Sequence, residues 1–499
     1  MKRRVLGAVG VILAGLTCAG CPQWVTFCDL PGNPCGDAGP TDGGGDVAVI
    51  EGGGDATPDA PGCDLGKEPK DAPLCVSDAV GVFVSAMGDD MNPGTKASPV
   101  KTLGKALTIV GSKPRVYVCE GTYAESVDLT KPVSIYGGFK CADWSYSGAK
   151  PTVASSKPLH VANVSGATLA DLAFTANDAQ ANGESSIAAF VDSSTLTFLR
   201  CALSAGVAKD GTNGATGSNY TAVAQSDVSI KGNNASGITG GAPHVCSLCT
   251  DSKNSVGGAG GSGGGAPVDG QDGQPNLMGM APNDGKGGTK DTGSGCANGH
   301  KGATGDAGAP APAPATSGTL DASGWKPASG TAGTNGGPAQ GAGGGGGGID
   351  GTNMSGGGGG GGCGGCGGAA GTGGSGGGAS LALVSLSSTL TLTACSLTTK
   401  ASGKGGTGAA GQSGQLGGFG GLQAAPGCPG GQGGQGGLGG GGAGGAGGLS
   451  VAILYKGTKP ASDAMTLGSV MLGAKGTGGT GGASNNGPDG VAQAELQAP

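Results

Sequence analysis

Aromatic and charged residues are scarce in this sequence. Of its 499 residues, 3% are Phe, Trp or Tyr and 12% are charged. Such a composition does not predict a compact enzyme built around one large aromatic-rich core. The 27 Lys and Arg residues are outnumbered by 34 Asp and Glu, which leaves a formal net charge of −7. Binding to a phosphate backbone needs clustered cations, and this chain is acidic overall, so we expect no nucleic-acid partner.

Glycine, in contrast, is abundant, with 119 residues. A uniform collagen is nevertheless excluded, because glycine accounts for less than one third of the chain and no strict triplet runs through all of it. The glycine is concentrated in long segments between stretches with an ordinary apolar pattern. The composition therefore divides the chain into glycine-rich segments and segments with an ordinary apolar pattern.

The first residues carry an export signal. Three basic residues precede an apolar run over residues 5–16, which is too short to span a bilayer as a stable helix. The run leads to Ala19-Gly20-Cys21 and resembles the signal of bacterial lipoproteins, which implies removal of residues 1–20 and lipidation of Cys21. Cys18 stands where leucine is usual, so an ordinary secretory signal is the alternative.

The resemblance to lipoproteins implies a location and a partner. We expect an exported protein at the outer membrane or cell surface, held to the membrane by an N-terminal lipid anchor. A secreted protein is the alternative. Residues 21–62 are rich in Gly, Pro and Asp, and so few apolar side chains cannot offset the entropy of ordering. This segment is predicted to be a disordered acidic tether.

Cysteine usage agrees with export to an oxidising compartment. The chain contains 16 Cys. Apart from Cys18 and Cys21 they are even in number, which favours disulfides in that compartment. The expected disulfides join cysteines that are near in sequence: Cys28–Cys35, Cys63–Cys75, Cys119–Cys141, Cys246–Cys249 and Cys363–Cys366.

Two groups of residues have the chemistry of metal ligands. The C-x-x-C motifs that begin at Cys246 and Cys363 could supply four zinc ligands, but they lie far apart across glycine-rich sequence. Asp89, Asp90 and Asn92 offer three side chains on one turn, whereas calcium takes about 6–8 oxygens. Turn formation explains these three residues. We therefore expect no metal and no cofactor.

Regular structure is predicted to begin at residue 63, and residues 63–112 are assigned to an N-terminal cap. A helix is predicted with Ser98 as its N-cap and Pro99 in its first turn. It continues with one apolar stripe and ends at Gly111. Short strands separated by turns follow it, at a spacing that suits a sheet winding on itself.

This region resembles a domain of unknown function that opens many secreted right-handed parallel β-helix proteins. The resemblance implies a helix that caps the first coil, and it implies no catalytic residue. It covers about 60 residues. It is carried by residues 82–85 (VFVS), 88–90 (GDD), 92–95 (NPGT), 98–99 (SP), 101–103 (KTL) and 105–107 (KAL), then 116–118 (VYV), 121–123 (GTY) and 133–138 (VSIYGG).

An internal repeat predicts how the chain continues. Residues 186–203 align without gaps to residues 380–397, and a looser copy covers residues 449–455 and 465–473. Each copy reads as strand, turn and strand, and glycine follows it. One such unit cannot bury its apolar side alone, whereas stacked copies form a continuous core. The repeat therefore predicts a solenoid.

The repeat also contains a corner. Leu196 and Phe198 share one phase of side-chain alternation, whereas Cys201 and Leu203 share the other, and a coil needs such a break between strands. Cys201 aligns with Cys395, so the two are expected to be buried small side chains or a bridge.

Together these features predict an all-β fold, a right-handed parallel β-helix with a short N-terminal capping helix. The coils are assigned to residues 113–253, 379–401 and 449–480, and a disordered tail to residues 481–499.

Two long glycine-rich insertions, residues 254–378 and 402–448, interrupt the coils. In the second, glycine recurs at every third residue over 411–420 and 430–448, the period of an extended helix whose crowded axis admits only hydrogen. The insertions are predicted either to pack as polyglycine-II-like helices or to be disordered. Residues 344–348 and 356–362 have no side chains to set a phase, and we expect them to be mobile.

The candidate catalytic residues do not form a convincing set. Secreted β-helix proteins include polysaccharide lyases and hydrolases, which need clustered carboxylates. The coils offer Asp171, Asp192 and Arg200, and turn or surface polarity explains each of them. We therefore expect no catalytic residue. The leading hypothesis is a non-enzymatic cell-surface lipoprotein with an adhesive, envelope-structural or protein-interaction role. The alternative is a glycan-binding or glycan-cleaving β-helix protein.

Overall fold

A computed structural model describes residues 62–218, 220–249, 254–277 and 280–499. The predicted export signal, the predicted lipidation residue Cys21, the expected pair Cys28–Cys35 and nearly all of the predicted tether lie outside the described residues. No helix within the described part is long and apolar enough to cross a membrane.

Short strands make up most of the regular structure. The described chain also contains helices α1 (Leu103–Ile109) and α2 (Ala464–Gly468) and a 3-10 turn at Pro73–Cys75. The strands in chain order are β1 (Gly81–Val84), β2 (Arg115–Cys119), β3 (Thr122–Tyr123), β4 (Val127–Leu129), β5 (Ser134–Phe139), β6 (Thr152–Ser155), β7 (Leu159–Ala162), β8 (Ser165–Ala170), β9 (Ala173–Ala176), β10 (Ser186–Asp192), β11 (Thr195–Leu199), β12 (Ala202–Ser204), β13 (His244–Val245), β14 (Val256–Gly257), β15 (Gly318–Asp321), β16 (Gly324–Pro327), β17 (Gly348–Ile349), β18 (Ser355–Gly356), β19 (Ser380–Leu386), β20 (Thr389–Thr393), β21 (Ser396–Thr398), β22 (Ser450–Lys456), β23 (Ala461–Ser462) and β24 (Ala492–Gln497).

Most strands stack into three parallel sheets, which the chain visits in turn. Sheet 1 has the order β1-β2-β5-β8-β11-β20-β23 and sheet 2 the order β21-β12-β9-β6-β3. Sheet 3 has the order β24-β22-β19-β10-β7-β4. A coil of chain thus contributes one strand to each sheet, and the backbone groups of adjacent coils pair with each other. The predicted all-β parallel β-helix is confirmed.

The two clear copies of the repeat are neighbouring coils. Ser186 lies opposite Ser380 between β10 and β19, and Leu203 lies opposite Leu397 between β12 and β21. Side chains of similar size therefore stack on each other inside the β-helix, where they join one continuous apolar core. This stacking explains why the two sequence segments are similar.

Residues with a left-handed backbone form the predicted corner. Arg200, between β11 and β12, has a φ of 53°, and the equivalent residues of the adjacent coils, Asp171 and Ala394, have φ of 55° and 53°. One residue in this conformation turns the chain and changes the phase of side-chain alternation. For a non-glycine residue it costs roughly 1–2 kcal/mol, which the paired strands on both sides must offset.

Cys201 and Cys395 follow this corner and stay reduced. They are 0% and 1% exposed, and both are free thiols. The Cys201 Sγ donates to the carbonyl oxygen of Leu169 at 3.2 Å, and the Cys395 Sγ donates to that of Phe198 at 3.4 Å. Burial raises the pKa of the Cys201 thiol. Of the two expectations, the structure forms stacked buried thiols and not a bridge.

The capping helix begins later than predicted. Helix α1 starts at Leu103, and Thr102 is its N-cap, whose hydroxyl accepts the backbone N–H of Lys105 at 3.1 Å. Ser98 and Pro99 precede the helix because Val100 continues the sheet pairing, with its N–H donating to the carbonyl of Phe83 at 3.0 Å. Strand pairing therefore replaces the first helical turn that Ser98 and Pro99 favour.

Both insertions leave the coil at the same place, between sheet 2 and sheet 3. The first follows β12 and returns at β19, and the second follows β21 and returns at β22. The first insertion therefore begins directly after Ser204, and assigning residues up to 253 to the coils was wrong. The early part of the insertion pairs with the chain after β21 at every third residue, since the N–H groups of Ala208, Gly211 and Gly214 donate to the carbonyls of Ala401, Lys404 and Thr407 at 3.0, 2.8 and 2.7 Å. The hairpins within the insertion, β13–β14, β15–β16 and β17–β18, are antiparallel.

The insertions pack as polyglycine-II-like helices. Backbone N–H groups of Gly365, Gly368 and Gly371 donate to the carbonyls of Gly434, Gly437 and Gly440 at 2.9, 2.9 and 3.0 Å. Every third residue of one segment thus bonds to every third residue of the next, as the glycine period indicates. Of the two predicted states of the insertions, the structure shows the packed one.

The expectation that residues 344–348 and 356–362 are mobile was wrong. Both segments are buried. The Gly345 N–H donates to the carbonyl of Gly359 at 2.8 Å, and the Gly361 N–H donates to that of Gly258 at 2.8 Å. Side chains are not needed to set the phase, because hydrogen bonds to neighbouring segments set it. A Cβ on Gly345 would lie closer than 3.0 Å to backbone atoms of residues 428–429, so the packing requires glycine.

The tail also differs from its prediction. Residues 481–499 were expected to be disordered, but β24 pairs in parallel with β22, and Leu496 lies opposite Leu454. Leu496 packs against the apolar cluster on the outer face of sheet 3. Pairing with an exposed sheet edge can order a short amphipathic segment, and the sequence of the segment alone does not predict that edge.

The disulfides correct two of the expected pairs. Cys63–Cys75 and Cys119–Cys141 form as expected. The two C-x-x-C motifs instead pair with each other, as Cys246–Cys363 and Cys249–Cys366, and a further disulfide joins Cys296 to Cys428. The reason is the parallel packing of two segments that are distant in the sequence, which places the two motifs side by side with Cα separations of 5.9 and 5.3 Å. The long disulfides therefore join segments within and between the insertions.

Candidate functional site

One ladder on the outer face of sheet 3 carries polar and aromatic side chains. Asp128 on β4 lies opposite His160 on β7, which lies opposite Phe190 on β10. The His160 Nδ1 and the Asp128 Oδ1 are 3.1 Å apart. The His160 and Phe190 rings are stacked, with centroids 5.5 Å apart and planes 21° from parallel. Three successive coils thus place a carboxylate, an imidazole and a phenyl ring in one row.

The same outer face is covered further along the sheet. Val384 and Leu454 continue the row on β19 and β22, and both are fully buried. The cover includes Leu320 and Trp325 of the β15–β16 hairpin, which pack against this apolar row. Because the cover ends at β10, the outer face over β4 and β7 is open.

A cleft of about 450 Å³ lies where the cover ends. Its lining includes the apolar side chains of Leu159, Ile187 and Phe190, and the turn of the hairpin at residues 322–324. Polar groups surround the apolar surface: Ser126, Asp128, Ser156, Lys157, His160, Glu184 and Ser185. An apolar surface with a few convergent polar groups is typical of a small-ligand site.

Glu184 is held in place by the backbone. Its Oε2 accepts the N–H groups of Gln180 and Ala181, each at 2.8 Å. The hydrogen bonds from Ala181 and Gln180 lower the pKa of the Glu184 carboxyl. Glu184 is therefore an oriented carboxylate at neutral pH.

The candidate catalytic residues lie elsewhere. Asp171 and Arg200 stack at the corner between sheets 1 and 2, where the Arg200 Nε and Nη2 donate to the two Asp171 carboxylate oxygens at 2.7 Å each. Arg200 Nη2 also contacts Glu68. The hydrogen bonds that the Arg200 guanidinium donates to Asp171 raise the pKa of the guanidinium. The arrangement joins the segment before β1 to the coils. Asp192 stands apart, and its carboxylate accepts from Ser193 Oγ at 2.9 Å.

We expect Arg200→Met to lower the free energy of unfolding by about 3 kcal/mol, because it leaves the Asp171 carboxylate, 6% exposed, without its cation. Urea denaturation measures the change. Lys286→Met is the matched control, because Lys286 pairs with Asp272 on the surface, where each side chain is at least 39% exposed, and its effect should stay below about 1 kcal/mol. Equal effects of the two substitutions would contradict a structural role for Arg200.

The potential metal ligands are used in other ways. Asp90 accepts the backbone N–H groups of Lys101 and Thr102 at 2.9 Å each. Asp89 accepts that of Met91 at 2.9 Å, and Asn92 donates to the carbonyl of Pro99 at 2.9 Å. These contacts fold the turn before α1. Within the described ranges no group of three or more His, Cys, Asp and Glu side chains is placed to hold a metal ion.

A second exposed feature is an apolar stripe on one polyglycine-II-like segment. Leu416, Phe419 and Leu422 are 51%, 46% and 59% exposed. At about 3.1 Å rise per residue, a spacing of three residues places them on one side of the segment, about 9 Å apart. The backbone of Phe419 is bonded on both sides, to Gln225 and Gly232, at 2.9 Å each. The stripe (Leu416, Phe419 and Leu422) is therefore fixed.

The cleft was not predicted from the sequence. Asp128, Glu184 and Phe190 were not singled out, because each is an isolated residue in its own coil. The repeat aligned Phe190 with Val384, but it could not show that Val384 is covered and Phe190 is not. Aligning β4, β7 and β10 by their apolar pattern would have placed Asp128, His160 and Phe190 in one row.

Comparison with known proteins adds one match. Residues 86–183, which span the turn before α1, the helix itself and the first coils, match the family model described as a protein of unknown function, DUF1565, which is associated with parallel β-helix proteins. Comparisons with curated proteins and with solved structures gave no match. Over residues 86–183, this parallel β-helix protein is therefore similar to the family DUF1565.

Proposed function

We propose that the protein is an exported, non-enzymatic lipoprotein of the outer membrane or cell surface. Its body would act in adhesion, envelope structure or protein interaction. The observation that carries this proposal is the stripe, Leu416, Phe419 and Leu422, because a row of exposed apolar side chains on a soluble surface is typical of a contact with another protein.

The rigidity of the glycine-rich body supports such a contact. Both insertions are held by regular backbone hydrogen bonds, such as those from Gly365 and Gly368 to the segment that contains Gly434 and Gly437. A preorganised surface loses little conformational entropy on binding. Residues 411–424 contain no charged side chain, so the partner that fits the stripe is an apolar protein surface and not a phosphate-bearing one.

The ion pair of Asp171 and Arg200 supports the non-enzymatic role. The guanidinium donates to both carboxylate oxygens of Asp171 and contacts Glu68. Groups that satisfy one another in this way are poor nucleophiles or general bases. The alternative, a glycan-cleaving protein, would be supported by reducing-sugar release that is lost in Asp171→Ala or Asp192→Ala protein.

The lipid anchor has its own test. In cells that export the protein, Cys21→Ala is expected to move it from the membrane fraction to the soluble fraction, because a peptide tether alone has no membrane affinity. Fractionation followed by immunoblotting measures the distribution, and Cys18→Ala is the control that should leave it at the membrane. Unchanged partitioning of the Cys21→Ala protein would refute lipidation.

The stripe predicts a loss of attachment. Replacing Leu416, Phe419 and Leu422 together by serine should reduce cell-to-surface or cell-to-cell attachment at least tenfold, since roughly 1 kcal/mol of apolar contact is removed for each of these half-exposed side chains. Counting attached cells measures the effect. The control replaces Ser413 and Gln423, exposed on the same segment, by alanine. Attachment that is the same in all strains would contradict the proposal.

A further inference from the structure

We propose that the cleft on sheet 3 binds a neutral oligosaccharide. The inference rests on the proposed function only in treating the body as a binding protein and not as an enzyme. It concerns the cleft lined by Asp128, His160 and Phe190, which lies on the β-helix and is separate from the stripe on the glycine-rich segment.

The shape of the surface favours a sugar ring. The His160 and Phe190 rings are stacked, with nearly parallel planes 21° apart, and Ile187 extends the apolar surface towards the hairpin. The face of an aromatic ring carries partial negative charge, and the C–H groups on one side of a pyranose ring carry partial positive charge. A sugar ring therefore packs its C–H side against the surface that His160, Phe190 and Ile187 form together. The cleft volume of about 450 Å³ lies within the range of small-ligand sites, roughly 300–1,000 Å³.

The rim of the cleft offers hydrogen-bond acceptors to sugar hydroxyls. Asp128 and Glu184 are carboxylates, which accept hydrogen bonds, and the Asp128 side chain is 71% exposed. Sugar hydroxyls are donors, and hydrogen bonds to a charged acceptor are about twice as strong as neutral ones. Glu184 needs no reorganisation, because the N–H groups of Gln180 and Ala181 already orient it.

The charge of the rim distinguishes neutral from acidic sugars. Two carboxylates, Asp128 and Glu184, face one ammonium group, Lys157, in the cleft. A uronate, sulfate or phosphate group would approach a net negative rim, and like charges repel at short range. The cleft therefore selects uncharged saccharides over acidic polysaccharides.

Isothermal titration of the full chain tests the inference with soluble probes. The neutral probes are maltohexaose, cellohexaose and chitohexaose, and the acidic probe is an oligogalacturonate of the same length. We expect at least one neutral probe to bind and the acidic probe to bind at least tenfold more weakly. Phe190→Ala should weaken binding of the neutral probe at least tenfold. Asp128→Asn, at an exposed position where folding is not at risk, should weaken it several-fold.

Phe419→Ala is the matched control, because it removes the same side chain from the stripe and should leave sugar affinity unchanged. The inference is overturned if no neutral probe binds, if the oligogalacturonate binds better, or if Phe190→Ala and Asp128→Asn both bind as the wild type does. Release of reducing ends from a bound neutral probe would refute the non-enzymatic function while supporting the sugar site. If the stripe variant loses attachment and no neutral probe binds, the proposed function is supported and the sugar site is refuted.

Discussion

Gly436→Ala is expected to lower the free energy of unfolding by about 3 kcal/mol, the upper part of the range for overpacking a tight interior. A Cβ on Gly436 would lie closer than 3.0 Å to the backbone of Cys366 and Gly367. The two segments cannot move apart, because the Gly436 N–H donates to the carbonyl of Gln415 at 2.9 Å and the Gln415 N–H donates to the carbonyl of Cys366 at 2.8 Å. Urea denaturation measures the change, and limited proteolysis should show earlier cleavage in the insertions.

Gly265→Ala is the matched control for this substitution. Gly265 lies in the first insertion, but a Cβ there would meet nothing within 4 Å. Its replacement should leave stability unchanged or raise it by up to about 1 kcal/mol, because alanine reduces the entropy of the unfolded chain. If Gly436→Ala and Gly265→Ala behave alike, the insertions are not packed as polyglycine-II-like helices.

Removing the disulfide between Cys296 and Cys428 by alanine substitution is expected to cost about 5 kcal/mol. This disulfide closes a separation of 132 residues, and in the chain-entropy model a loop of about 100 residues contributes about 4.7 kcal/mol. It also joins the first insertion to the second, so its loss removes a covalent link between them. Thermal unfolding monitored by circular dichroism measures the effect.

The control is the double alanine substitution of Cys63 and Cys75. Their disulfide closes a separation of 12 residues, and its removal should cost about 3 kcal/mol by the same model.

Peptide mapping without reduction tests the pairing itself, and we expect peptides containing Cys246 to be linked to peptides containing Cys363. Linkage of Cys246 to Cys249 instead would show that the two insertion segments do not meet as described.

Local pattern predicted much of the β-helix. The alternation of Leu196 and Phe198, followed by a change of phase before Cys201, predicted the corner that Arg200 forms with a φ of 53°. The repeat predicted that the coil containing Phe198 stacks on the coil containing Leu392, and these residues are opposite each other in the sheet. Such features follow from a few residues in a row, which is the range over which side-chain periodicity is informative.

The helix start shows where local pattern fails. Ser98 and Pro99 have the preferences of a helix N-terminus, but Val100 pairs with Val84 in the sheet. The sheet outweighs the preference because a ladder bond and a buried side chain together stabilise more than a capping interaction does. The cleft was missed for a related reason, since Asp128, His160 and Phe190 come from three separate coils.

By itself, the sequence determined the class of fold, the repeat, the glycine period and the corners, because each depends on residues close together in the chain. Only the tertiary structure decided which cysteines pair, whether the glycine-rich insertions are ordered, and which part of sheet 3 is left open. Glycine has no side chain with which to encode a partner, so its neighbours are selected by hydrogen bonds and close packing between segments that are distant in the sequence, such as those that contain Gly365 and Gly434. That information exists only once the coils have stacked.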